Sequence, residues 1–497
     1  MSLAPRGIWV AVAVLCLWAT APGHAQQGSG LAAAHAAALV HDPEYRAARF
    51  ELEAREQQLP IARAGLLPSV SASLSSARVR GERTVSGLAG QDATQQLDYS
   101  SPSMALQLRA PLFNAEAKGR HRSAAAQVES ARAQFQQRGL DLLDRLATAF
   151  LQRLLAEEGV ALAQAQLDAY ESQSLLAQRR YTGGEGTRTD AADAAASLAM
   201  ARVQLIEAQD QRDLAERALA RITGPMPPTS SHLPDELFPD SLPQTTLPDW
   251  LEKAQAANPG LMARRHQVQA AREEIERARS GHMPRLDLLA SATEARNDSV
   301  NTLNQKSRLR SAGVQLTLPL YAGGGIDAGV RQATADLARA EAQLQSDGEQ
   351  LAMDVRTQYQ LAQSSRLKIV ALGDALTASR LALEGAQRGL AAGLRTTTDV
   401  MDALRRVAQA QRERARARLE TLLARMRLQT LAGQPPADVV ADFDRQLTGP
   451  KPQFPPLATK EAPRVSAARS GRGSPSSGPP WACSTRRLFQ TAGIAIR

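Results

Sequence analysis

The sequence predicts a mostly helical protein with a minority of β-structure, assembled from two internal repeats. Three observations predict it. First, short motifs recur at a fixed distance. Asp42-Pro43-Glu44 returns as Asn258-Pro259-Gly260, and Gly65-Leu66-Leu67-Pro68 as Gly281-His282-Met283-Pro284, both 216 residues on. Pro111-Leu112-Phe113 returns as Pro319-Leu320-Tyr321 at 208, while Asp190, Asp193 and Gly224 return as Asp399, Asp402 and Gly433 at 209. Second, each repeat holds a proline-free stretch of more than 60 residues. Third, each repeat carries two segments whose apolar residues alternate with period two.

Residues 1–25 read as a secretory signal: Arg6, an apolar run over 8–18, then Gly23 and Ala25 before a cleavage point at Gln26. The run is too short to span a bilayer comfortably. Cys16 lies inside it without the Leu-x-x-Cys context of a lipoprotein, so no lipid anchor is expected. Cys483 is the one cysteine left after cleavage, which excludes an intramolecular disulfide or a cysteine zinc site.

The first repeat spans 26–224: a helix, a strand pair at 68–112, a long helix at 115–182 and a second helix at 187–223. A linker over 225–248 follows. The second repeat spans 249–433: a helix, a strand pair at 284–321, a long helix at 326–389 and a helix at 396–432. The 8-residue change of offset between Pro68 and Pro111 gives the first strand pair the longer loop. Residues 434–497 hold a short remainder and a basic tail rich in Pro, Ser, Gly and Arg, expected to be disordered.

A helix over 115–182 is about 100 Å long. Its apolar residues recur at sevens (Val128, Phe135, Leu142, Ala149, then Leu155, Leu162, Ala169, Leu176), as do Val330, Leu337, Leu344, Leu351 and later Leu376, Leu383, Leu390. Sustained sevens indicate coiled-coil packing. Gly183-Gly184-Glu185-Gly186 and 389–393 end the two long helices, so each repeat forms an antiparallel hairpin. An ordinary helical bundle does not account for helices several times the usual ~10–14 residues.

In the strand pairs Val70, Ala72 and Leu74 alternate with serines, and Met104, Leu106 and Leu108 with Ala105, Gln107 and Arg109. Leu286, Leu288 and Ala290 oppose Asp287 and Ser291, with Leu289 out of pattern, and Val314, Leu316 and Leu318 alternate with Gln315 and Thr317. Apolar-out, polar-in alternation in an exported chain fits an outer-membrane barrel. Phe113 and Tyr321 sit where aromatic anchors meet the lipid interface. Four strands cannot close a barrel, and an open edge cannot face lipid. The chain must therefore pair with copies of itself: two give eight strands filled by side chains, three give twelve with room for a lumen.

The net charge of +9 belongs to the ends of the chain. The tail from 450 contributes +7 and the signal +1, leaving residues 26–449 at about +1. No basic face with interleaved aromatics exists, which argues against nucleic acid. No His-Glu-x-x-His, Walker or Gly-x-Ser-x-Gly motif occurs, and the histidines form no i, i+4 pair, so no enzymatic activity, cofactor or metal is expected. Gly323-Gly324-Gly325 reads as a tight turn between strand and helix rather than a phosphate loop.

Taken in order, Asp42-Pro43-Glu44-Tyr45, Ala62-Arg63-Ala64-Gly65-Leu66-Leu67-Pro68, the two Pro-Leu-aromatic motifs and Gly393-Leu394-Arg395-Thr396-Thr397-Thr398-Asp399-Val400 resemble the TolC family of channel-tunnels, over about 31–433. The resemblance implies a trimeric, twelve-stranded outer-membrane β-barrel, four strands per protomer, continuous with a long periplasmic α-helical tunnel. It also implies an equatorial region, here 225–257 and the segment after 433. Its implied partners are a periplasmic adaptor and an inner-membrane transporter, either ABC-type or proton-driven. By position, Arg395, Asp399 and Asp402 match gate and selectivity residues, and Asp190 an acidic residue of the closed entrance. The expected tyrosine is replaced by Leu390, while Tyr181 holds the equivalent place in the first copy. Thr187, Thr189, Asp190, Thr396, Thr398 and Asp399 are favoured cap or first-turn residues, so capping alone and capping with gating account equally for Asp190 and Asp399, while Asp402 is less easily explained as a cap. The reading leans towards the exit duct of a type I protein secretion system, such as one exporting a toxin, with drug or metal efflux as the alternative. A periplasmic adaptor would show one hairpin and a lipoyl-like domain, and a structural coiled coil has no use for the strands.

Overall fold

A computed structural model of the protein describes residues 30–86, 92–225, 246–299 and 302–447. The signal, most of the linker and the basic tail lie outside the described residues. The chain opens with α1 (Leu31–His41), α2 (Pro43–Glu56) and α3 (Gln58–Ala64). Then come β1 (Ser69–Ser86), β2 (Asp92–Phe113), α4 (Ala115–Thr182) and α5 (Arg188–Thr223). The second copy supplies α6 (Leu247–Ala257), α7 (Pro259–Arg279), β3 (Arg285–Ser299), β4 (Thr302–Thr317), α8 (Gly325–Ala391) and α9 (Thr397–Leu431), and α10 (Pro436–Leu447) follows.

The opening helix of each repeat is divided, where the sequence reading had one helix. Asp42 and Asn258 both adopt extended backbone, and each accepts a hydrogen bond from the N–H three residues on, Tyr45 and Leu261. Proline then takes the first helical position, where its missing N–H costs nothing. The two caps differ in what else they bind. The Asp42 carboxylate is buried and also accepts from Arg145 at 3.0 Å, whereas the Asn258 amide donates to the Leu431 carbonyl at 3.1 Å. Tyr45 stacks on Phe135, ring centroids 5.2 Å apart, fixing α2 to α4.

The four strands form one antiparallel meander, β1-β2-β3-β4. The β2–β3 pairing joins the two repeats, while β1 and β4 each pair on one side alone. The register puts Val70 opposite Leu108, Leu108 opposite Ala290, and Ala290 opposite Ala312, so the apolar residues of all four strands share one face. Leu289 falls on the other face, between Arg109 and Gly313. β4 stops at Thr317, four residues short of the expected end, because Pro319 cannot extend a ladder. Gly323 and Gly324 then turn the chain at φ 60° and 76° into α8, a conformation that side chains beyond glycine resist.

α4 and α8 run 68 and 67 residues, about 100 Å each. Each pairs with the shorter helix after it, and α4 also packs along α9. Two clusters hold this seam. One joins Phe150, Leu146 and Leu142 of α4 to Leu422 and Met426 of α9 and to α1 and α10. The other lies near the hairpin tips, around Tyr170, Leu383, Leu390, Val400 and Leu404. The sevens hold over most of α4 but slip near its end: Ala177 is buried and Leu176 is exposed. A straight helix of 3.6 residues per turn drifts relative to a strict repeat of 3.5, which moves the seam by one position. Between the helices the side chains of Arg418 and Glu158, 3% and 10% exposed, pair at 2.7 Å.

Candidate functional site

The sheet offers two unlike walls. One face carries Val70, Ala72, Leu74, Met104, Leu106, Leu108, Leu288, Val314 and Leu316. Val70, Leu74, Met104, Leu106, Val314 and Leu316 of this face are exposed, which water-facing strands would not tolerate in such number. The opposite face carries Ser69, Ser71, Ser73, Ser75, Gln107, Arg109, Ser291, Thr293, Ser311 and Gln315. At its base Asp287, 2% exposed, accepts from Arg109 at 2.7 Å and pairs with Arg285 at 3.0 Å. The boundary where the apolar face turns charged is oblique. It begins at Arg310 on β4, whose row runs through Ala292 and Leu106 to Ala72, yet on β1 it begins at Arg78, six residues further on. Averaged over the three steps this is two residues per strand, an offset that becomes level once strands tilt, as barrel strands do.

The two expected anchors occupy different settings. Phe113 is the last residue of β2, where a bulge after Pro111 brings it opposite Leu286, in line with Leu316. The Lys118 Nζ lies 5.5 Å above its ring, a cation–π contact. Tyr321 lies beyond β4 and is 88% exposed.

At the far end of the helices both tips use one device. Thr187 and Thr396 are N-caps whose hydroxyls accept the N–H groups of Asp190 and Asp399. Those carboxylates accept in return from the backbone N–H groups of Thr187 at 3.4 Å and Thr396 at 2.9 Å. Asp399 also receives the Thr396 hydroxyl at 3.0 Å, and Arg395 approaches at 3.7 Å. The Thr396 N–H first, then its hydroxyl and Arg395, hold the Asp399 carboxyl below the usual carboxylate range. Asp402 pairs with Arg405 at 3.0 Å. Arg405 reaches the Tyr170 hydroxyl as well, whose pKa is raised by burial in the tip cluster. Tyr170 and Arg405 were not singled out from sequence, since neither breaks the helical pattern. Leu390 is buried and its carbonyl accepts from Arg180, which links the two tips, while Tyr181 next to Arg180 stays partly exposed.

An extended sheet with lipid-type and water-type faces, continuous with hairpins about 100 Å long, defines an outer-membrane channel protein. Residues 35–225 and 250–434 match the model of the outer membrane efflux protein family, and the chain belongs to that family. It is 34% identical over 81% of its length to the alkaline protease secretion protein AprF of Pseudomonas aeruginosa, covering 84% of that protein. It is 33% identical over 83% to the proteases secretion protein PrtF of Dickeya chrysanthemi, covering 89% of it. Among solved structures, CusC, reported with its transmembrane channel formation, superposes with a TM-score of 0.70 at 18% identity, over 82% of this chain and 92% of that one. The protein therefore lies in the outer membrane of a Gram-negative bacterium, its helical part in the periplasm. Among the described residues no helix is long and apolar enough to cross a membrane.

Proposed function

We propose that three copies of this chain close a twelve-stranded barrel over a helical tunnel and serve as the exit duct of a type I protein secretion system. The observation that carries the assembly is the pair of unsatisfied edges. β1 and β4 each lack a second partner strand among the described residues, and in lipid each orphaned N–H or C=O group costs several kcal/mol. Copies joining β4 to a neighbour's β1 remove both edges. The similarity to two protease secretion proteins over most of the chain supports protein export over small-molecule efflux. Passage is passive, without catalysis by this chain. An inner-membrane ABC transporter supplies the energy, and a periplasmic adaptor joins it to the hairpin tips. In this reading Asp190, Arg395, Asp399, Asp402 and Tyr181 surround the periplasmic entrance, and Phe113 and Tyr321 anchor the barrel at the inner lipid boundary.

Cysteine pairing tests the assembly. In a Cys483→Ser background, Ser71→Cys on β1 is combined in turn with Gln315→Cys, Ser311→Cys and Ser307→Cys on β4. Within one chain these strands are about 14 Å apart, beyond disulfide reach. Oxidised membranes should yield covalent trimers in at least one pairing; monomers in all three would overturn the barrel. Export is tested separately by deleting the gene. Loss of a secreted protein with unchanged drug sensitivity is the expected result, and the reverse pattern would favour efflux.

A further inference from the structure

The apolar face ends in a cluster of cations toward the β1–β2 and β3–β4 turns. On β4 the three successive positions of that face, Arg310, Arg308 and Lys306, are all basic. They stand about 6.8 Å apart along the strand. Arg296 of β3 lies directly opposite Lys306 in the ladder, a like-charge pair that is unfavourable by itself. On β1 the face continues with Arg78 and Arg80. Carboxylates of the same rim serve four of these cations. Asp98 serves both Arg78 at 3.0 Å and Arg80 at 3.5 Å, and Glu294 serves both Lys306 and Arg308. Glu82 takes a hydrogen bond from Gln96. Arg296 and Arg310 make no ion pair among the described residues.

These cations face outward, above the lipid band, at the end of the sheet remote from the periplasmic helices. That places it at headgroup height in the outer leaflet. We propose that this rim binds the phosphates of a phosphorylated glycolipid of that leaflet, one beside Arg296 and Lys306 and another beside Arg310. Arginine forks suit phosphate oxygens, and an anion there relieves the repulsion between Arg296 and Lys306. A rim that served solubility alone would balance its charges across the ladder, as Arg78 and Asp98 do one step along. The proposal rests on the membrane orientation of the sheet and not on the cargo.

The test uses the full chain, purified in a neutral detergent and checked for trimers on unheated gels. Binding of bis-phosphorylated lipid A is compared with that of the dephosphorylated lipid by native mass spectrometry. The phosphorylated lipid should be retained preferentially. Arg296→Ser with Arg310→Ser should weaken its retention by roughly 25-fold, about five-fold per cation removed. Equal retention of the two lipids by the unaltered chain, or unchanged retention by a trimeric double variant, would overturn the proposal. Should the variant fail to form trimers, the two-lipid comparison on the unaltered chain decides.

Discussion

Asp444 caps α1 from 413 residues away: its Oδ1 accepts the Leu31 N–H at 2.6 Å, and its Oδ2 the Ala32 N–H at 2.9 Å. Two of the four orphan donors of that helix are satisfied by α10 instead of by a neighbouring residue. A Cβ on Gly30 would collide with the same carboxylate, so glycine there lets the two elements meet.

Asp444→Ala should therefore lower stability by about 1 kcal/mol, the usual cost of a lost cap. Denaturant unfolding of detergent-solubilised protein measures it. Removing residues 450–497 leaves this cap in place and should leave assembly intact. Loss of trimers in that truncation would assign the tail a structural role.

The buried Arg418–Glu158 pair makes a sharper prediction. Arg418→Leu takes from Glu158 its 2.7 Å partner in a nearly dry seam and should cost about 3–5 kcal/mol. Arg418→Leu with Glu158→Leu should recover much of that loss, since an apolar pair has no charge to desolvate. A double variant as unstable as the single one would mean that the seam depends on the other bonds of these residues.

Capping and gating by Asp399 separate by mutation. Thr396→Ala removes the cap's hydroxyl but keeps the carboxylate, whereas Asp399→Asn keeps a capping oxygen and removes the charge. If the carboxylate acts at the entrance, Asp399→Asn with Asp402→Asn should shift the reversal potential in a salt gradient towards weaker cation preference. Thr396→Ala should leave it near the unaltered value. An unchanged potential in the Asn variants would leave Asp399 as a cap alone.

His35 gives a pH dependence of known sign. Burial in α1 pushes its pKa below the ordinary 6.5. Between the ordinary and the lowered value the unfolded chain takes a proton that the folded chain refuses. Stability contributed here is therefore full above about pH 7 and falls as the solution is acidified through 6.5. Thermal scans at pH 7.5 and 5.5 should show a smaller difference in His35→Gln than in the unaltered chain.

The long helices, the turns between them and the alternating strands were legible because each is a local periodicity. So were the tip caps, which depend on residues three apart. The bulge at Phe113, the Asp444 cap and the Arg180–Leu390 link were not, because each depends on which distant backbone arrives beside a given side chain. The division at Asp42 and Asn258 could have been read. Asx-Pro followed by a helical pattern is a helix start, and the apolar run on either side of it hid the break. The charged rim also escaped notice, since Arg296 and Lys306 become neighbours only once the β3–β4 register is known.

The open edges of the sheet carry a genetic consequence. If three copies complete one wall, a chain with a proline in β4 spoils the seam it shares with a healthy sibling. Expressed equally beside the normal gene, it would leave about one assembly in eight free of damaged members. Such an allele should be dominant, and export should fall far below the half expected for subunits that work alone.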